Sequence, residues 1–275
     1  MRKFLVPTDF SETAKNAARF AAQMLAGKNA EIILFHVYEK IAAGSDGSPL
    51  TEEDEDRQTI FSNALGNVKA DMLRVSANLN INVAAEEGKD LIEAIGRFVR
   101  HNGIDMVIMG ITGATRLEQI FMGSNTLKLT KEAIVPVMII PPDAKYVEIK
   151  DVMITSDFKD VDSTIPVAPI RRILDLFKPN LHIVNVDSEH YVELTEEYKN
   201  ERAKMEKFFG AYNPQFSFIR LYDFQDAVNS FTEDKEIDLI ITIPRRHSFL
   251  GGFFKPSHTK KMAYHSHVPV VAVHE

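Results

Sequence analysis

Cysteine is absent from the 275 residues, which excludes disulfides and thiolate chemistry and fits a reducing compartment. No apolar run approaches the roughly 18 residues that a membrane-spanning helix requires. Met1-Arg2-Lys3-Phe4 shows no leader pattern and runs at once into a strand, so the expectation is a cytoplasmic protein without membrane contact. Basic charge is scarce as well: 32 Lys and Arg face 39 Asp and Glu, a net charge of -7. No Lys/Arg cluster exceeds a pair or triplet. Binding to nucleic acid regardless of sequence relies on a basic surface and is not expected. Several catalytic signatures are missing too. There is no Gly-x-Ser-x-Gly elbow, no Gly-x-Gly-x-x-Gly, and no Gly-Lys-Ser/Thr after a glycine loop.

What is present is an alternation of apolar strands and amphipathic helices. Lys3–Pro7, Glu31–Val37, Ile81–Glu86, Asp105–Met109 and Val135–Pro141 read as strands. Glu12–Ala26, Thr59–Asn78, Asp90–His101 and Asn125–Ala133 read as helices between them, with Ser11 as an N-cap and Gly27 as a stop. Ile41–Gln58, with its acidic run Glu52-Glu53-Asp54-Glu55-Asp56, reads as a solvated loop leading into a helix. Helices of this length between strands imply βαβ units and a parallel sheet.

From Asp151 the same order starts again. Asp151–Phe158 echoes Lys3–Phe10, and His182–Val186 echoes Ile32–Val37. Asp226–Asp234 with Ile237–Ile241 echoes Asp90–His101 with Ile104–Ile108, and His267–Val273 echoes Ile134–Ile140. The chain is therefore a tandem duplication, expected as domains 1-143 and 148-275. Pro141-Pro142-Asp143-Ala144-Lys145-Tyr146 forms a short, proline-stiffened joint.

One stretch carries chemistry. After the strand ending at Met109 come Gly110 and Gly113, then Gly123-Ser124 and a helical segment. Glycines let backbone N–H groups approach an anion, and the first free amides of a helix point at it. Ser124 adds a hydroxyl at the helix entrance. In the second half Pro244-Arg245-Arg246-His247 and Pro256-Ser257 stand in these places. Prolines offer no N–H, so that loop cannot present the same donors.

These residues resemble the universal stress protein family, specifically its tandem two-domain members. The resemblance rests on Val6-Pro7-Thr8-Asp9-Phe10-Ser11, on the strand ending in Val37, and on Gly110, Gly113 and Gly123-Ser124 at the spacing of the family's ATP-binding signature. It implies an α/β fold with two doubly wound five-stranded parallel-sheet domains, strand order 3-2-1-4-5, related by a pseudo-twofold. Ligand is then expected at the switch point between the first and fourth strands. Carried over by position, Asp9 would contact the adenine or its sugar, and Val37 would line the base pocket beside Pro7 and Thr8. Met109 and Gly110 would lie near the ribose, and Gly113, Gly123, Ser124 and Asn125 would hold the phosphates. Arg116 lies in the same loop. A magnesium ion bridging the phosphates is compatible with this, although no carboxylate pair dedicated to it is visible.

The function this implies is an ATP-binding stress-response protein acting as a regulatory or protective module, one nucleotide per chain in the first domain. The two domains would pair through their last strands, Val135–Pro141 and Val268–His274, whose edges need covering; a homodimer stays open. Two other readings stay open. One is slow ATP hydrolysis, for which no general base or catalytic lysine stands out in Met109–Asn125. The other is a nucleotide-free interaction protein that uses the apolar loop Ser248–Lys255. His258, His265 and His267 lack Cys or carboxylate partners at ligand spacing and read as surface residues. No catalytic residue and no metal ligand set is identified.

Overall fold

The computed structural model describes residues 1–39, 51–111, 128–130, 134–187, 196–220, 224–244 and 268–274. Two compact units, Met1–Glu132 and Ala133–Glu275, make up the chain.

In the first unit, β1 (Arg2–Pro7) leads through Ser11 into α1 (Glu12–Leu25), and β2 (Ala30–Tyr38), α2 (Thr51–Val75), β3 (Asn80–Glu87), α3 (Leu91–Asn102) and β4 (Met106–Gly110) follow. The strands lie in the order β3-β2-β1-β4. β1 is parallel to both neighbours, with Leu5 opposite Ile33 on one side and Val107 on the other. Phe4, Leu5, Val6, Ile32, Leu34, Val107 and Ile108 are buried, as expected of a parallel strand layer covered on both faces. α2 begins at Thr51, eight residues before the expected Thr59. The acidic run therefore lies within a helix.

The second unit holds β5 (Val137–Ile140), β6 (Asp151–Thr155), β7 (Asn180–Asp187), β8 (Gln215–Arg220), β9 (Leu239–Thr242) and β10 (Val270–Ala272), with helices at Val167–Phe177, Glu196–Phe209 and Phe224–Asp234. Its order is β5-β10-β9-β6-β7-β8. Read from the far edge, β8-β7-β6-β9-β10 is the order 3-2-1-4-5 for that half. β5 and β10 pair antiparallel, with Met138 opposite Val271. Within the second unit, the last strand of the first repeat thus pairs with the last strand of the second.

The duplication extends to individual hydrogen bonds. Asp105 accepts from Lys3 N at 2.8 Å, and its own N–H reaches Lys3 O at 2.9 Å. Asp238 does the same in the second half, accepting from Lys150 N at 2.8 Å and Asp151 N at 3.0 Å, with its N–H on Asp151 O. One carboxylate thus ties the start of the first strand of each half to the start of its fourth.

α1 fixes the depth of the first unit. Ala14, Ala17, Ala18, Ala21 and Ala22 are all buried, so the helix can lie close to the sheet. At Gly110 the approach is so tight that a Cβ would stand 2.5 Å from Thr13 O. Gly110 is therefore demanded by packing, whatever it does for a ligand.

Two stability changes follow from these contacts. Gly110→Ala forces α1 outward and is expected to destabilise the protein by about 3 kcal/mol, the upper end for overpacking a close-packed site. Asp238→Ala removes two charge-assisted hydrogen bonds and is expected to cost about 2 kcal/mol. Urea denaturation of each variant against the parent measures both, and a Gly110→Ala variant as stable as the parent would contradict the packing argument.

Candidate functional site

The site is built on the turn that ends β1. Thr8 N–H donates to Phe35 O at 2.8 Å, continuing the ladder one residue past the strand. Thr8 Oγ1 accepts from Phe10 N at 3.0 Å, and Asp9 Oδ1 accepts from Ser11 N at 3.0 Å and Ser11 Oγ at 2.5 Å. Ser11 Oγ in turn accepts from Ala14 N at 3.3 Å and caps α1 as expected. Side-chain oxygens folding back on nearby amides are what Thr and Asp offer in turns. They hold Phe10 at a φ of 64°. Its ring lies 4.6 Å from that of His36. His36 Nδ1 donates to Thr8 O at 2.8 Å; since a carbonyl can only accept, that nitrogen carries the proton.

Strand alternation separates two faces at this end of β2. Phe35 packs on Phe98 of α3, whereas His36 packs on Phe61 of α2. Val37 therefore returns to the α3 face. There it meets the β3–α3 junction, where Gly88 N donates to Tyr38 O at 3.0 Å. A Cβ at Gly88 would lie 3.2 Å from Val37 Cγ1, so glycine keeps this corner open. Asp90 caps α3, with Oδ1 accepting from Ile92 N at 2.8 Å and Glu93 N at 3.1 Å. Its Oδ2 accepts from Lys128 Nζ at 2.7 Å. The Lys128 ammonium, followed by the two amides, holds the Asp90 carboxyl below the usual carboxylate range.

Between these segments lies a cavity of about 300 Å³ at the carboxyl ends of β1, β2 and β4. That is the lower end of the size range of small-molecule pockets. Pro7, Thr8, Asp9, Val37, Met109 and Gly110, the six sequence-expected site residues that the structure describes, all line it. Gly113, Gly123, Ser124 and Asn125 lie outside the described residues, as do Arg116, the loop Ser248–Lys255 and His258, His265 and His267. Sequence reading missed Gly88, Lys89 and Leu91 on the far wall, and Ala14, His36 and Glu39. One signal pointed there: Asp90-Leu91-Ile92-Glu93 has the capping-box form that marks a helix start. Asp9 and Glu39 bring negative charge to the lining and Lys89 positive. No group of three or more metal-ligating side chains occurs among the described residues.

The second half repeats the frame and changes the lining. Ser156 Oγ accepts from Phe158 N at 3.1 Å, Asp157 Oδ1 accepts from Lys159 N at 3.1 Å, and Phe158 has a φ of 51°. Asn185 Nδ2 donates to Ser156 O at 3.0 Å, as His36 does to Thr8. Yet Thr155 and Thr242 stand where Pro7 and Met109 line the cavity, and Ile243, 4% exposed, stands for Gly110. The two threonine hydroxyls are buried and have no hydrogen-bond partner among the described residues. An apolar wall has become polar, and the glycine gap is filled.

The sequence profile of the universal stress protein family matches residues 1–141 and 178–274. A universal stress protein of Methanocaldococcus jannaschii is 29% identical over 164 residues, covering 50% of this chain and 94% of the relative. A second from the same organism is 27% identical over 153 residues, covering 52% and 84%. Among solved structures, a universal stress protein of Archaeoglobus fulgidus is similar along 99% of this chain and 96% of its own, with a TM-score of 0.68 at 18% identity. That last likeness speaks for the fold alone. No helix among the described residues is long and apolar enough to cross a membrane. With both halves matched and the fold repeated in each, this chain belongs to the universal stress protein family.

Proposed function

We propose that the chain is an adenine-nucleotide-binding regulatory or protective module of the cytoplasm, taking one ATP in its N-terminal half. The observation that carries this reading is the meeting, in one cavity, of residues from three remote strand ends that the family resemblance names for the base and ribose. Val37 and the buried Met109 offer apolar walls for a flat base. Asp9 lies exposed at the mouth with Oδ1 committed to Ser11, which leaves Oδ2 to accept from an exocyclic amine or a ribose hydroxyl. Gly113, Gly123, Ser124 and Asn125 would supply donors to the phosphates, with magnesium as a bridging ion. The filled and polar counterpart in the second half favours a single nucleotide per chain. Any turnover is slow in this reading, because the described lining offers as general bases only the exposed carboxylates of Asp9 and Glu39 and the imidazole of His36, whose Nδ1 is committed to Thr8 O.

Purified protein, heat-unfolded and filtered, is expected to release ATP at one per chain by mass. Two per chain would place a second nucleotide in the other half. None released, and none bound on titration with ATP and magnesium, would leave the nucleotide-free interaction reading. Gly88→Leu, which pushes a side chain into the Val37 corner, is expected to weaken ATP binding about tenfold or more while far-UV circular dichroism stays unchanged. Unaltered affinity in that variant would move the base elsewhere.

A further inference from the structure

Thr8 is held at three points. Its N–H donates to Phe35 O at 2.8 Å, its Oγ1 accepts from Phe10 N at 3.0 Å, and its carbonyl accepts from His36 Nδ1 at 2.8 Å. Thr8 is only 6% exposed, so its carbonyl would find no full replacement in water for a lost donor. The first two bonds come from or go to backbone; the third is made by a side chain of β2. That side chain is itself fixed, since the His36 ring packs on Phe10 of the turn and on Phe61 of α2, with centroids 4.6 and 4.5 Å away.

A peptide unit is planar and trans, so its C=O and N–H point opposite ways. With Thr8 O directed to His36 on β2, the N–H of Asp9 faces away from β2, to the side of β4. The bond thereby fixes the plane in which Asp9 leaves the strand, and His36, Thr8 and Asp9 all line the cavity. Resting on the adenine-nucleotide reading above, we infer that His36 is a positioning residue for that site. Its Nδ1–H, acting through the Thr8 carbonyl, holds Asp9 where a base or ribose meets it. A contact already in place at binding does not have to be ordered by the ligand, which would cost conformational entropy. The second half identifies the atom that matters. Asn185 Nδ2 makes the same bond to Ser156 O at 3.0 Å, and Ser156 N–H donates to Val184 O at 3.0 Å as Thr8 does to Phe35. Like Nδ1 of histidine, Nδ2 of asparagine stands two bonds from Cβ, so the amide replaces the imidazole as donor without replacing its ring.

The test is calorimetric titration of the full chain with ATP plus magnesium and, separately, with adenosine, which carries the base and ribose alone. His36→Phe keeps a ring against Phe10 and Phe61 but removes the donor, and is expected to weaken both ligands about fivefold. His36→Leu, which also lacks the donor, carries the test if the phenylalanine variant does not fold. His36→Asn returns a donor in the manner of Asn185 and is expected to bring both affinities back to within about twofold of the parent. Parental affinity in His36→Phe would overturn the inference. So would an asparagine variant as weak as the phenylalanine one, which would assign the effect to the ring. Both outcomes leave the nucleotide reading standing, whereas a parent chain that binds neither ligand would overturn both.

Discussion

The turn at the end of β1 is the constraint on which the N-terminal site depends. Three side-chain oxygens, from Thr8, Asp9 and Ser11, accept from amides two or three residues on and carry the chain from strand into helix. The cost is a phenylalanine in the left-handed region, a conformation that carries about 1–3 kcal/mol of strain for such a residue. Each turn hydrogen bond contributes about 1 kcal/mol net, and ring contacts about 0.5–1.5 kcal/mol. Phe10 has one ring contact with His36 and a wider one with Phe61, so strain and compensation are of the same size. The result is a sharp exit that leaves Asp9 at the mouth of the cavity and starts α1 against β4.

The second half shows how much of that device is scaffold. Ser156, Asp157 and Phe158 reproduce the turn, and Asn185 takes the place of His36 against the same carbonyl. Asp238 reproduces the strand tie of Asp105. The inward positions diverge, from Pro7, Met109 and Gly110 to Thr155, Thr242 and Ile243, and the Ser11 cap is lost, Lys159 standing in its place. A turn motif kept in both halves therefore belongs to the fold, and the difference in function has to be sought in the lining.

Two glycines of the first half do different work. At Gly110 the α1 backbone lies against the strand, and any side chain there would meet Thr13 O. Gly88 faces a side chain instead, Val37 Cγ1, and its emptiness shapes the cavity. A glycine in a phosphate-loop motif can thus be required by packing, and one outside any motif can be what opens the pocket.

The sequence by itself determined the tandem repeat from local and periodic signals: apolar strands at regular spacing, an N-cap serine, a glycine pattern, and a second copy to compare with. The strand order and the near wall of the cavity were what its resemblance to a known family implied. The sequence also misjudged the start of α2, because an acidic run reads equally as solvated loop and as the favoured first turn of a helix. The tertiary structure decided the far wall, Gly88 to Leu91, and the tie from Asp90 to Lys128. Val37 and Gly88 lie far apart in the chain and meet only because β2 and β3 pair in one register, Tyr38 opposite Glu87. Bare edges predict the pairing of β5 with β10, but its antiparallel register, Met138 opposite Val271, joins strands more than a hundred residues apart and came from the tertiary structure. Register between distant strands is set by packing over the whole sheet, and no short stretch of sequence encodes it.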